Sequence, residues 1–311
     1  MKRSWLLGLA LAGLFLLPTV GAGATIRVVA TIPDLADMAR HIGGNLVEVK
    51  TLATGVENIH AVPMKPSFVP LLNRADVVLL LGLEAEHAFL PALLEVSRNP
   101  KIQPNGPGYI DTSVYITPLE VPTRIDRALG DQHPMGNPHY NLDPMRGKDM
   151  ARAVADGLSR NYPDAAPTFQ KNLAAYLATL DAAIARWERE AAPLRGVKFV
   201  SYHPDLIYFA ERFGMENVGT IEIRAGIDPT PSHIVALEEM MRSGGVKLVV
   251  RELVYPANLA QTIAQHTGAT LVELPYMVGG VPEAKDYLSF IDYDVRTMLK
   301  AVATMKSARN R

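Results

Sequence analysis

Residues 166–192 read APTFQKNLAAYLATLDAAIARWEREAA. Leu173, Tyr176, Leu177, Leu180, Ile184 and Trp187 recur at spacings of three and four, the period of a single helix face. Beyond its first turn the stretch holds no Pro or Gly, and its Ala, Leu, Glu and Arg are good helix formers. A helix over this range would run about 40 Å. That is long enough to lie along two lobes and join them stiffly, although an ordinary surface helix of one lobe has the same pattern.

The sequence on either side favours the first alternative. Before it, residues 26–30, 47–52 and 77–81 are short β-branched or apolar runs separated by helical patterns. After Arg195 the same rhythm returns at 198–202, 218–222, 248–251 and 270–274. Strands alternating with helices of about ten residues specify βαβ units and parallel sheets. The expected fold is therefore α/β: two βα sandwich lobes with parallel sheets, bridged by one long rigid helix. The expected divisions are a leader at 1–24, an N-terminal lobe at 25–165, the linking helix at 166–192 and a C-terminal lobe at 193–311. Residues 109–145 form the only long stretch without clear periodicity. They are rich in Pro and Gly, and loops of that length are often functional.

Composition narrows the class. A length of 311 residues accommodates one large domain or two ordinary ones. With 48% hydrophobic and 20% charged residues, the chain is neither disordered nor a polytopic membrane protein. Thirty-one basic against 32 acidic residues give a net charge of −1, which argues against binding nucleic acid by charge. The absence of cysteine excludes disulfides, thiolate metal sites, cysteine nucleophiles and lipid attachment through an N-terminal cysteine. At the N-terminus, Lys2 and Arg3 precede an apolar run from Trp5 to Leu17, and Ala22-Gly23-Ala24 forms an A-x-A cleavage signal. The run is shorter than the ~20 residues that span a membrane, so the reading is a cleaved signal peptide with a mature start near Thr25. Export without cysteine points to a periplasm.

Histidine is the informative residue type. His60 follows the second strand, His139 ends the long loop, and His203 lies just past the first strand of the second lobe. Ligands of open parallel sheets bind beyond the carboxyl ends of strands, so two lobes facing one cleft can bring these three imidazoles together. Three neutral imidazoles suit Zn²⁺. Taken singly, each histidine also reads as a hydrogen-bonded loop residue, and no local H-E-x-x-H motif accompanies them.

The same residues carry a resemblance. Gly136-Asn137-Pro138-His139-Tyr140-Asn141-Leu142-Asp143-Pro144 is similar to the D/N-P-H-x-W-L-D-P stretch of the solute-binding proteins of zinc and manganese ABC importers, the cluster A-I family. His60 with Met64-Lys65-Pro66-Ser67 matches that family's first ligand loop more loosely. Ser201-Tyr202-His203, followed by Tyr208-Phe209-Ala210 and Phe213-Gly214, resembles its third ligand segment. Val250-Arg251-Glu252 and Asp286-Tyr287 also fit. The resemblance covers essentially all of the chain after the leader and implies His60, His139 and His203 as metal ligands. It further implies a periplasmic, high-affinity zinc-binding protein that performs no catalysis and delivers metal to the permease of an ABC importer in the inner membrane. A monomer without nucleic-acid partners is expected. The alternatives are Mn²⁺ as the metal, a metal-dependent adhesin, or a zinc hydrolase built on three histidines and a water.

One departure stands out. Many relatives supply a carboxylate after the last strand of the second lobe, but Pro275-Tyr276-Met277-Val278 has none, and Ile59 rather than glutamate precedes His60. The fourth position then falls to water, Glu222 or Glu273. Met277 suits only Cu(I) and otherwise reads as core or cleft lining. His41, His87, His233 and His266 read as surface or helix-end residues, His233 as exposed behind a Thr230 cap. His133 reads either as a solvated loop residue or as one that hands metal to the site. Asp143 and Asp205 read as orienting partners of the ligand histidines or, for Asp143, as a helix cap.

Overall fold

The computed structural model describes residues 25–124, 133–223 and 226–309; the leader reading of residues 1–24 lies outside the described residues. Strands β1 (Ile26–Ala30), β2 (Val47–Thr51), β3 (Val77–Leu80) and β4 (Tyr109–Asp111) form one parallel sheet in the order β2-β1-β3-β4. Strands β5 (Lys198–Ser201), β6 (Glu216–Thr220), β7 (Leu248–Glu252) and β8 (Thr270–Leu274) form a second parallel sheet in the order β6-β5-β7-β8. The two halves thus share one topology. Every residue of β3 and of β7 is buried, as central strands covered on both faces require.

Nine helices appear among the described residues: α1 (Pro33–Gly43), α2 (Phe68–Arg74), α3 (Leu90–Ser97), α4 (Pro144–Asn161), α5 (Ala166–Glu190), α6 (Ile207–Phe213), α7 (Pro231–Ser243), α8 (Ala257–Thr267) and α9 (Tyr287–Arg309). None among the described residues is long and apolar enough to cross a membrane. The α5 helix is the expected linking helix. It buries Phe169, Leu173, Tyr176, Leu180, Ile184 and Trp187, and packs on α1 and α4 of the first half and on α9 of the second. Polar contacts fix both ends. Asn172 donates to the Ile42 carbonyl at 2.9 Å, while the Trp187 indole and Arg186 both donate to Asp292 Oδ1, at 2.9 and 2.6 Å.

Two strand readings shift. The β4 strand falls inside the stretch read as aperiodic, because three residues are too few to show an alternation. In the second half, pairing starts at Glu216 and ends at Thr220, so Glu222 lies past the strand rather than in it. A register irregularity between Phe199 and Val200 accompanies that shift.

The halves also meet directly. Tyr287, at the start of α9, is fully buried against α4 and donates through its hydroxyl to the Asn141 carbonyl at 2.7 Å. It reaches that acceptor because α4 carries Gly147 beneath the ring. A methyl group there would stand 2.4–2.7 Å from the phenol atoms, and the ring is hemmed in on all sides. Gly147→Ala is therefore expected to destabilise the fold by about 1–3 kcal/mol, the ordinary cost of overpacking, read as a lowered urea midpoint. An unchanged midpoint would show that the joint between α4 and α9 can yield.

Candidate metal centre

After β2 the chain turns through residues 54–58 into a short 3₁₀ turn, Ile59–Ala61, that carries His60. Glu57 folds back to accept from the backbone and hydroxyl of Thr54 at 2.8 and 3.0 Å, and Asn58 caps the turn by accepting from the His60 N–H at 2.9 Å. The turn is gripped from the opposite half. Tyr276 accepts from the Ile59 N–H at 2.6 Å and donates to the Glu57 carbonyl at 2.8 Å. Backbones also touch there. A side chain at Gly55 would meet Val278 O and the Gly279–Gly280 peptide at 2.3–2.4 Å, which only glycine avoids.

His139 precedes another 3₁₀ turn, Tyr140–Leu142, that leads into α4. Asn137 sets its position. The Asn137 Oδ1 accepts from the His139 N–H at 3.0 Å, and its amide donates to the Pro204 carbonyl at 2.6 Å, next to His203. Tyr208 on α6 adds a second tie by donating to the Asn137 carbonyl at 2.6 Å and accepting from the Leu119 N–H at 2.9 Å.

His203 leaves the end of β5, where Ser201 donates through its hydroxyl to the His203 carbonyl at 2.6 Å. Its ring stacks on Tyr255 with centres 5.3 Å apart, and its Nδ1 lies 2.7 Å from Glu222 Oε2. Glu222 also accepts from the Gly226 N–H at 3.1 Å. With Nδ1–H donated to Glu222, the lone pair of His203 resides on Nε2.

The three rings converge. Their centres lie 5.0 Å (His60–His139), 5.5 Å (His60–His203) and 5.2 Å (His139–His203) apart, and one nitrogen of each lies within 4.8 Å of the others. Nε2 of His60 and of His139 are 3.1 Å apart. A tetrahedral zinc with bonds of ~2.1 Å would place bound nitrogens about 3.4 Å apart and ring centres about 5 Å apart. The trio meets that geometry, and among the described residues no other group of three or more His, Asp or Glu converges in this way.

Burial, reinforced by repulsion from His203, His133 and His87, holds His60 well below the usual imidazole value. Burial and then His60, His203 and His133 act likewise on His139. Both rings therefore stay neutral, as a ligand must, into mild acid.

The remaining candidates fall around this centre. Glu222 partners the ring of His203, and Glu273 is exposed and held by Arg251, whose Nε lies 3.0 Å from its Oε1. Met277 is buried core. Asp143 caps α4 by accepting from Met145 N–H at 2.9 Å and takes Arg212 at 2.7 Å. Asp205 and Glu252 lie in the interior, and burial raises both carboxyls, Asp205 to about 6. His41 ends α1 and His266 ends α8, where it meets Glu238 at 2.8 Å. His233 departs from expectation: its Thr230 cap is present, but the ring is half-buried and contacts the Thr220 carbonyl at 3.0 Å. His133 and His87 lie beside the trio, with ring centres 4.9 and 6.5 Å from His60. His87 sits on an exposed turn but adjoins the site rather than a remote surface. Tyr276 and Asn137 stand in the quoted motifs without a role of their own, and His87 read as a surface residue.

A family model described as the periplasmic component A of the zinc-uptake complex, ZnuA, matches residues 28–301. The chain belongs to that family. The high-affinity zinc uptake system protein ZnuA of Brucella abortus is 30% identical over 131 residues, 42% of this chain and 39% of that protein. The zinc-binding lipoprotein AdcA of Streptococcus pneumoniae is 23% identical over 86% of this chain and 54% of its own length. The matched part thus spans about half or less of these curated relatives. A zinc-bound ZnuA deletion mutant of known structure is 25% identical, covers 89% of this chain and 98% of its own, and superposes with a TM-score of 0.74. A manganese-bound periplasmic metal-binding protein from Candidatus Liberibacter asiaticus shares the fold at a TM-score of 0.73 and 19% identity, covering 89% of this chain and all of its own.

Glu222 and Glu273 can be separated by experiment. Because Glu222 works through His203, Glu222→Gln is expected to weaken zinc binding about tenfold, and Glu273→Gln by less than about twofold, in competition with a chelating dye. A Glu222→Gln variant as damaged as His139→Ala would instead place this carboxylate on the metal.

Proposed function

We propose that this chain is a monomeric periplasmic protein that captures Zn²⁺ with His60, His139 and His203 and delivers it to the permease of an ABC importer, without catalysing a reaction. The observation that carries the reading is the convergence of three buried or half-buried imidazoles, from both halves of the molecule, at separations suited to tetrahedral zinc. Family membership supports the transport role. Water is the favoured fourth ligand, because Glu222 and Glu273 are already engaged by His203 and Arg251. The donor set favours zinc over manganese, since hard Mn²⁺ prefers carboxylate oxygens and the three converging donors are nitrogens. A hydrolase would need a general base beside the metal-bound water, and Glu222, the carboxylate that contacts the trio, is committed to the ring of His203.

Elemental analysis after exposure to excess zinc and dialysis is expected to find one tightly held zinc per chain. His60→Ala, His139→Ala and His203→Ala should each weaken it more than ~100-fold, while His41→Ala and His266→Ala leave it within about twofold. Equal losses across all five variants would sink the assignment.

Acidity supplies a second test. Protons compete with the metal only where the ligands titrate, and the folded-state values of His60 and His139 are lowered. Zinc affinity should thus change little from about pH 8 to about 6.5 and then fall steeply, with more than one proton taken up per ion released. A binding constant that fell mainly above pH 7, or stayed flat to pH 5, would contradict imidazole ligation.

A further inference from the structure

His203 is held differently from the other two rings of the trio. Its ring lies against Tyr255, with centres 5.3 Å apart and planes 21° from parallel. Tyr255 stacks in turn on Tyr202, at 4.9 Å and 6°. Among the described residues no ring lies so flat on His60 or His139; the aromatic neighbours of these two are tilted by 37° or more.

The Tyr255 backbone is fixed from several sides. Its N–H donates to the Glu252 carbonyl at 3.0 Å, closing a turn after β7. Arg251 donates to the Tyr255 carbonyl and is itself tied to Glu273 through Nε at 3.0 Å. Pro256 follows and disfavours helical angles at Tyr255. The ring is buried in the apolar cluster that includes Tyr202, Val249 and Ile263. Its hydroxyl is buried and has no hydrogen-bond partner among the described residues, so the face of the ring, not its polar end, is what meets His203.

Two physical effects follow from that face. The bond from Nδ1 to Glu222 fixes one edge of the imidazole but leaves the ring free to rock about it; a flat neighbour removes that freedom and keeps Nε2 aimed at the trio. An imidazole that gives its lone pair to a divalent ion also becomes electron-poor, and the negative face of a phenol ring attracts it more strongly than it attracts the free base. We infer that Tyr255 is a positioning residue for His203, fixing the plane of the imidazole and favouring its metal-bound form through the stacked face. The inference rests on the proposed role of His203 as a zinc ligand.

Zinc competition with a chelating dye, on the whole chain, tests it. Tyr255→Leu is expected to weaken zinc binding about tenfold, whereas Tyr255→Phe, which keeps the face and removes only the unpartnered hydroxyl, stays within about threefold. Tyr255→Met, an unbranched chain that fills irregular space, is the second variant should the leucine protein not fold, and it should lose as much. Ile263→Ala, a cavity in the same cluster, should lower the urea midpoint yet leave zinc affinity within about twofold. In a His203→Ala background, Tyr255→Leu should change affinity by less than about twofold. With Co²⁺ as a coloured probe, the visible band should keep its position in Tyr255→Phe and move in Tyr255→Leu. Unaltered zinc affinity in both Tyr255→Leu and Tyr255→Met, a phenylalanine variant as damaged as the leucine one, or an undiminished loss in the His203→Ala background would overturn the inference while leaving the ligand set standing. A His203→Ala variant that binds zinc as before would instead overturn the ligand assignment, and the inference with it.

Discussion

One phenol hydroxyl holds the centre together. Tyr276 belongs to the second half, yet its oxygen accepts from Ile59 and donates to Glu57, bracketing the turn that presents His60. Both bonds are backbone-directed, the one from Ile59 buried and the one to Glu57 partly so, and losing them would leave polar groups poorly satisfied. Asn137 performs the reciprocal task by tying the His139 backbone to Pro204 beside His203. Asn141 completes the set, donating to Asp34 at 3.1 Å and to the Tyr276 carbonyl at 3.0 Å. The convergence of the imidazoles is thus a product of amides and phenols that lie outside the three rings.

The electrostatics follow from that construction. Burial opposes charging of His60 and His139, and repulsion from the neighbouring rings adds to that penalty, so both favour the neutral form. Acids are present but otherwise employed. Glu222 orients His203, Asp143 caps α4 and binds Arg212, and Asp205 and Glu252 lie in the interior. The loop after β8 supplies Tyr276, whose hydroxyl grips the opposite loop at Ile59 and Glu57.

Most of the architecture was legible because it is periodic. The apolar stripe of α5, the strand–helix alternation and the Thr230 cap are local signals, and the structure follows them to within a few residues. The β4 strand was not legible, since three residues carry no pattern. Glu222 was singled out as a direct ligand candidate, and the structure sets it on the far nitrogen of His203; sequence cannot tell these apart, because the difference is which side of a ring the carboxylate approaches. Tyr276 and His87 escaped for a related reason. The contact between Tyr276 and Ile59 spans 217 positions, and His87 adjoins the site only once the fold brings it near His60.

The linking helix has a mechanical consequence. Clamped by Asn172 at one end and by Trp187 and Arg186 at the other, it behaves as a beam with both supports fixed. Such a beam resists bending and leaves only slight twist to the halves it joins. The cleft between them is therefore not built for the wide jaw-like opening of a hinged vessel. The compliant parts are the short turns that carry the rings, so the spacing of the imidazoles changes when those turns give up their backbone bonds, not when the lobes part.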